Sequence, residues 1–211
     1  MAAQTDVDRA KAIAFRAQFF RAGKAADDAD DWDAFCRHVM IVETNSHDIV
    51  GYFRVSLFGT GAQATTGYTA RFFDLDPLCH FQGPVMELGR FCIAPDQNDP
   101  DVLRMAWAEI TRLVDCHDVA FLFGCTSFQG TDIDSIEGAF YTLAQKYLAP
   151  TWWAPAPKGQ VGFKLAEARS TPKSQLPALL RSYLSLGGQV GHYAVIDPDL
   201  DTTVVFTGLE V

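Results

Sequence analysis

The chain has 211 residues, 48% of them apolar and 20% charged. That is the composition of a folded globular protein, and it excludes a disordered, collagen-like or disulfide-scaffold chain. Asp and Glu outnumber Lys and Arg 26 to 17, for a net charge of −9, which argues against a nucleic-acid partner because such a partner needs a broad basic face.

The first element expected is a helix over residues 7–21, with Arg9, Ile13, Arg16 and Phe20 on one face. Residues 37–45 and 48–57 read as two strands of a hairpin, turning at Ser46-His47. The Gly- and Thr-rich segment 59–67 reads as a mobile loop, and residues 87–93 as a third strand. Asp99 as cap and Pro100 in the first position open a helix in which Leu103, Trp107, Ile110 and Val114 recur at helical spacing. A buried strand over 118–126, a helix over 135–148 and a Pro-rich loop over 149–159 follow. A strand over 161–168, a helix over 175–186 ended by Gly187-Gly188 and a closing strand over 203–209 complete the chain. Helices alternate with strands in the second half, which argues a layered α/β fold. The opening hairpin makes its central sheet mixed. The length suits one domain over residues 1–211, burying roughly 70% of its unfolded surface.

The five cysteines, at 36, 79, 92, 116 and 125, are odd in number and contain no CxxC. They fit a reducing cytosol better than a disulfide framework. Asp6 and Asp8 precede any apolar stretch, so no secretory signal is expected. The most apolar short run, 119–125, is far below the ~20 residues of a membrane span. A cytoplasmic location is expected.

Several charged residues stand where apolar ones are expected: Arg16 on the helix face, Arg54 inside the second strand, Glu87 and Arg90 on the third, and Asp30 and Asp33 around Trp32. Buried charges must be paired or must shift their pKa. One such residue is most often a long side chain reaching solvent. Five or six from distant segments point either to a shared polar cavity or to an Arg–Asp network tying the first helix to the sheet.

Arg16-x-x-x-Phe20, Asp30-Asp31-Trp32-Asp33, Gly51-x-x-Arg54 and Glu87-x-Gly89-Arg90-Phe91 follow one another in order. Together they resemble the signature of GNAT-type N-acyltransferases that draw acyl chains from acyl carrier protein. The closer resemblance is to the L-ornithine N-alpha-acyltransferases of ornithine-lipid synthesis, through the block 122–132 and the tail 183–197. A more distant one is to acyl-homoserine lactone synthases. The resemblance implies a single GNAT-like domain and transfer of a fatty, or 3-hydroxy fatty, acyl chain to the alpha-amine of an amino acid, most naturally ornithine. The product would be lyso-ornithine lipid. The donor would be the acyl-phosphopantetheine of acyl carrier protein, with no tightly bound cofactor and no metal, and the enzyme would act in the cytoplasm or at the inner face of the membrane.

The residues can be set beside that chemistry. An amine attacks a thioester only when unprotonated, so a base is needed, and Glu87 on a central strand is the candidate, directly or through a water. Backbone N–H groups around Arg90 to Cys92 would face the developing oxyanion. Arg16, Arg54 or Arg90 could hold the acceptor carboxylate, and Asp30 or Asp33 a side-chain ammonium, with Phe20 beside them. Phe91, Cys92, Phe123, Cys125 and Ser127 would line the pantetheine and acyl groove. A basic patch drawn from Arg71, Arg104, Arg112, Lys146 and Lys158 would steer the acidic carrier protein.

The segment 95–101 carries three aspartates and no glycine. It disfavours the pyrophosphate of coenzyme A more than the single phosphodiester of a carrier protein. His192-Tyr193 departs from the turn expected in the ornithine branch. Cys125 in an apolar run would be an inert thiol rather than a nucleophile. The Cys/His pairs match no zinc spacing, and Gly187-Gly188 follows a helix and is no dinucleotide fingerprint. Trp152-Trp153 could line a tunnel or make a peripheral membrane contact, but core packing is the simpler reading. The competing functions are an acyl-homoserine lactone synthase and a non-catalytic GNAT-like module that binds lipid or protein.

Overall fold

A computed structural model describes residues 2, 5–21, 27–95, 97, 99–170 and 175–211. The chain forms two compact units. One comprises Met1–Leu57 and Leu88–Val119, the other Phe58–Glu87 and Ala120–Val211.

In the first unit, helix α1 (Asp6–Phe20) opens on a capping box. Thr5 Oγ1 accepts from the Asp8 amide at 3.1 Å, and Asp8 Oδ2 accepts from the Thr5 amide at 3.3 Å. Its buried face is Ala12, Phe15 and Arg16, so Arg9 is on the solvent side rather than on the expected stripe. The apolar part of that face packs with Met40, Tyr52 and Cys92. Strands β1 (Arg37–Val42) and β2 (Ile49–Phe58) form the expected antiparallel hairpin, pairing His38 with Arg54 and Met40 with Tyr52. Helix α2 (Pro100–Cys116) starts as expected, with Asp99 Oδ1 accepting from the Asp101 amide at 2.8 Å. Its buried stripe is Val102, Ala106, Ile110, Leu113 and Val114, so Ile110 and Val114 lie on the expected face while Leu103 and Trp107 are half-buried on its edge.

In the second unit, strands β5 (Phe121–Gln129) and β9 (Thr202–Glu210) pair antiparallel along their whole length, from Phe121–Glu210 to Gln129–Thr202. Helices α3 (Ile133–Lys146) and α4 (Ala178–Ser185) pack through Phe140, Leu143, Leu180 and Leu184 onto Phe128 and Val205. Phe123 and Phe206 stack 6.1 Å apart, with Phe121 and Trp153 against them. Two expectations fail here. The expected strand 161–168 is a two-residue strand β7 (Phe163–Lys164) running into a 3₁₀ turn at Leu165–Glu167. A nine-residue strand β8 (Gln189–Asp197) went unpredicted, because Gly191 and His192 break the alternation of its apolar residues. It bulges against β9 between Val190 and Ala194, which is where those residues fall.

The expected mobile loop 59–67 is instead a 3₁₀ turn (Gly61–Thr66) running into a second (Tyr68–Arg71). Gly61 donates its amide to the Phe81 carbonyl at 2.9 Å, and a Cβ there would lie 1.7 Å from the Leu78 carbonyl oxygen. The Pro-rich loop likewise holds a short strand β6 (Ala156–Pro157) that pairs with β3 (Phe73–Asp74). Strand β4 (Val85–Ile93) carries the chain from the second unit into the first at Leu88. The strand order of the seven-stranded mixed sheet is β1-β2-β4-β5-β9-β8-β7, with helices flanking it.

Candidate active site

The first unit holds a buried cluster of three arginines and three aspartates. Arg16 grips Asp33 with both terminal nitrogens at 2.6 Å, a fork-to-fork pair. Its Nη2 also donates to the Asp28 carbonyl, and its Nε lies 2.8 Å from Asp28 Oδ2, within ion-pair range but out of line for a hydrogen bond. Arg54 donates from Nη1 to Asp30 and to Asp33, each at 2.6 Å, and from Nη2 to Asp30 at 2.8 Å. Arg90 donates from Nε to Asp28 at 2.9 Å and from Nη2 to Asp30 at 3.4 Å, with its guanidinium 5.2 Å from the centre of the Phe20 ring. Arg21 adds a bond to the other Asp28 oxygen at 3.2 Å. A capping box within Asp30–Asp33 fixes the acidic turn: Asp30 Oδ1 accepts from the Trp32 amide and Asp33 Oδ2 from the Asp30 amide.

Burial alone would weaken these charges. It pulls against the Arg16 and Arg54 cations, but the bonds to Asp33 and Asp30 prevail and hold both pKa values above the usual arginine range. Burial likewise pushes Asp33 up, and the Arg16 bond overrides it, holding the carboxyl down to about 2. His38 and Tyr52 extend the cluster. His38 Nε2 faces the Asp33 carbonyl at 3.0 Å, which can only accept, so Nε2 carries the hydrogen of a neutral imidazole. Nδ1 is then the acceptor for the Tyr52 hydroxyl at 2.7 Å, and that hydroxyl accepts from Arg16 at 3.1 Å. Burial lowers the His38 pKa, consistent with the neutral ring, and raises that of Tyr52.

The sequence therefore named five of the six charged members: Arg16, Asp30, Asp33, Arg54 and Arg90. It missed Asp28, which is wholly buried, because the acidic run 27–31 reads as a solvated face. It missed His38 and Tyr52 as partners because only the hairpin register brings them level with Arg16. The residues expected to grip an amino acid grip one another.

Arg90 has φ 53, a left-handed backbone inside a strand. For a long side chain this costs about 1–2 kcal/mol, and such strain gathers at functional sites. Of the groove residues expected on this strand, Phe91 is half-buried against Phe53 with ring centres 6.0 Å apart. Cys92 is buried, and burial pushes its thiol pKa up to about 12.

Glu87 lies in the second unit, 4% exposed. Its Oε2 accepts from the Tyr68 amide at 3.0 Å and its Oε1 from the Thr69 amide at 2.6 Å. A Cβ on Gly67 would come within 2.7 Å of Oε2, so glycine at 67 is what lets the carboxylate approach this turn. Thr69 Oγ1 accepts from Cys125 Sγ at 3.7 Å, and Tyr68 Oη donates to Asp197 at 3.4 Å. Cys125 and Ser127 are half-buried, whereas Phe123 is fully buried in the aromatic stack. Of the expected basic patch, Arg104 pairs with Asp101 and Arg112 with Glu109 on their own helix, while Arg71 stacks on Tyr68 and Phe72. Asp96, in the acidic loop read as disfavouring coenzyme A, lies outside the described residues. Trp153 is core, donating Nε1 to Glu210 at 2.9 Å, and Trp152 is half-exposed against Phe81. Among the described residues no group of three or more His, Cys, Asp or Glu has metal-holding geometry, and no helix is long and apolar enough to cross a membrane.

Residues 12–108 match the model of the acetyltransferase (GNAT) domain, a stretch that contains Glu87 and the whole Arg–Asp cluster. An L-ornithine N(alpha)-acyltransferase of Rhodobacter capsulatus is 28% identical over 84% of this chain and 72% of its own length. One of Rhizobium meliloti is 29% identical over 98% and 77%. This is an acyltransferase of GNAT fold. Its fold is shared with the solved structure of a CoA-dependent acyl-homoserine lactone synthase, BjaI, at a TM-score of 0.53 and 11% identity over 98% of this chain and 77% of that one. For this acyltransferase, Glu87 and Arg90 stand three residues apart on β4, one holding a turn by its backbone and the other clamped in the charge cluster.

Proposed function

We infer that the acyltransferase moves a fatty acyl chain, with or without a 3-hydroxyl, from the phosphopantetheine thioester of acyl carrier protein to the alpha-amine of ornithine, giving lyso-ornithine lipid. The observation that carries this reading is the match of four relatives named L-ornithine N(alpha)-acyltransferase along 84–98% of the chain. In the reaction the amine nitrogen attacks the thioester carbon, the C–N bond forms and the C–S bond breaks. One proton of the original ammonium leaves with the thiol and another is released to solvent. Glu87 accepts the first proton, directly or through a water, and backbone N–H groups following Arg90 take the oxyanion. Cys125 and Ser127, half-buried on β5, face the acyl chain in this reading, whereas Cys92 and Phe123 are buried in the core. No tightly bound cofactor takes part.

Mass spectrometry of lipids from cells expressing the protein tests the reading. A lyso-ornithine lipid present with the intact protein and absent with the empty vector is expected. Accumulation of an acyl-homoserine lactone, or of no new lipid from active protein, would overturn it.

A further inference from the structure

Four non-glycine residues among those described have positive φ. Asp118 and Asp201 lie in turns and His47 directly follows the turn at 44–46, positions where Asp and His tolerate the left-handed region. Arg90 lies within β4, where a left-handed residue marks a bulge and glycine is the ordinary occupant. A glycine does stand next to it, but Gly89 does not have positive φ, and a Cβ there would meet nothing nearer than Arg54 Nε at 3.7 Å. The chain thus carries its glycine where the backbone has no need of one and an arginine where the need exists. A strained backbone persists only when its surroundings over-determine it. Here the surroundings are Asp28 on Nε, Asp30 on Nη2 and the Phe20 ring on the guanidinium face. Asp28 is itself held by Arg16 and Arg21.

We propose that Arg90 is a positioning residue: its clamped guanidinium holds β4 in the left-handed kink that aims the backbone N–H groups of residues 91 and 92 at the acyl oxygen, and it does not bind the acceptor carboxylate. The proposal rests on the acyl-transfer reading above for its catalytic consequence, and on geometry alone for the clamp.

Comparing Arg90→Gly with Arg90→Ala tests it, because both remove the same ion pairs and only glycine adopts the kink freely. Loss of oxyanion donors typically lowers kcat about 10²–10³-fold. Arg90→Ala is therefore expected to lose about 100-fold in kcat with the acceptor KM within about twofold, and Arg90→Gly to recover at least about tenfold of that loss. Equal kcat in the two variants, or an acceptor KM raised tenfold in both, would overturn the proposal and assign Arg90 to the carboxylate. If loss of the ion pairs prevents folding, Phe20→Leu keeps every charge and loosens the clamp; it should lower kcat several-fold without raising the acceptor KM, and an unchanged kcat would count against the clamp. Crystal structures of the two Arg90 variants separate this proposal from the activity reading. A left-handed residue 90 kept in Arg90→Gly and relaxed in Arg90→Ala supports the clamp even if ornithine is not the acceptor, and a kink retained in both refutes it.

Discussion

Asp33→Asn keeps the size of the side chain and removes its charge, in the most tightly paired part of the buried cluster. Asp33 accepts from Arg16 twice, from Arg54 once and from the Asp30 amide. An asparagine must turn its amide nitrogen toward one of these donors. Breaking a buried pair from one side costs about 3–5 kcal/mol, so urea unfolding followed by circular dichroism at pH 7 should show a loss of that order, with a fall in Tm of roughly 10 °C. The pH dependence is a sharper check. The folded carboxyl titrates at about 2 against an ordinary value of 3.8. That depression is worth roughly 2–3 kcal/mol. Because the folded value lies below the unfolded one, the stabilisation is complete above about pH 4 and is lost as the pH falls through 2. The gap between wild type and Asp33→Asn should therefore be flat from pH 7 to 5 and narrow steadily below 4. A gap under about 1 kcal/mol at pH 7, or one that does not narrow by pH 2.5, would refute the claim that this carboxylate is held ionised by Arg16 and Arg54.

Glu87→Gln should lower turnover at least about 100-fold at pH 7 and less at high pH, where the amine is already free; near-normal turnover at pH 7 would make Glu87 purely structural. The same substitution places an amide nitrogen against the Tyr68 or Thr69 N–H, so a stability loss of about 1–3 kcal/mol should accompany it in thermal unfolding. Gly67→Ala drives a Cβ toward Glu87 Oε2, and since about 1 Å of misplacement can cost 10²-fold, kinetic assays should show a fall in kcat far beyond any change in Tm. Iodoacetamide at pH 8 should label exposed Cys79 and Cys116 and spare Cys92, whose thiol is buried with a pKa near 12; rapid labelling of Cys92 in the folded protein would contradict its placement.

Helix α2 was legible because Asp99-Pro100 announces its start and its apolar spacing is regular, and the first hairpin because its strands alternate around a short turn. Strand β8 was not, because its bulge falls where Gly191-His192 interrupts the pattern, and period-two reasoning cannot see through a bulge. The segment 59–67 looked like a loop because glycines and threonines form turns and ordered 3₁₀ structure alike; what orders it is the approach of the Leu78 and Phe81 carbonyls to Gly61. In the candidate site, arginines on apolar faces were conspicuous in the sequence, so Arg16, Arg54 and Arg90 were found. Asp28 was hidden in a run of like residues that looks solvated, and the backbone partners of Glu87 could not be read from side-chain types at all. Pairing between the arginines and aspartates was legible as an alternative to substrate binding, and their geometry favours mutual pairing.

The most direct test of the account is a single-turnover assay. Purified protein is mixed with a 3-hydroxyacyl carrier protein and ornithine, the free carrier thiol is titrated, and the products are read by mass spectrometry. One thiol should be released per amide formed, on the alpha-nitrogen of ornithine, with rates that fall as salt is added. Thiol release without an alpha-amide, or faster transfer from acyl coenzyme A than from the carrier protein, would contradict the acyl-transfer reading.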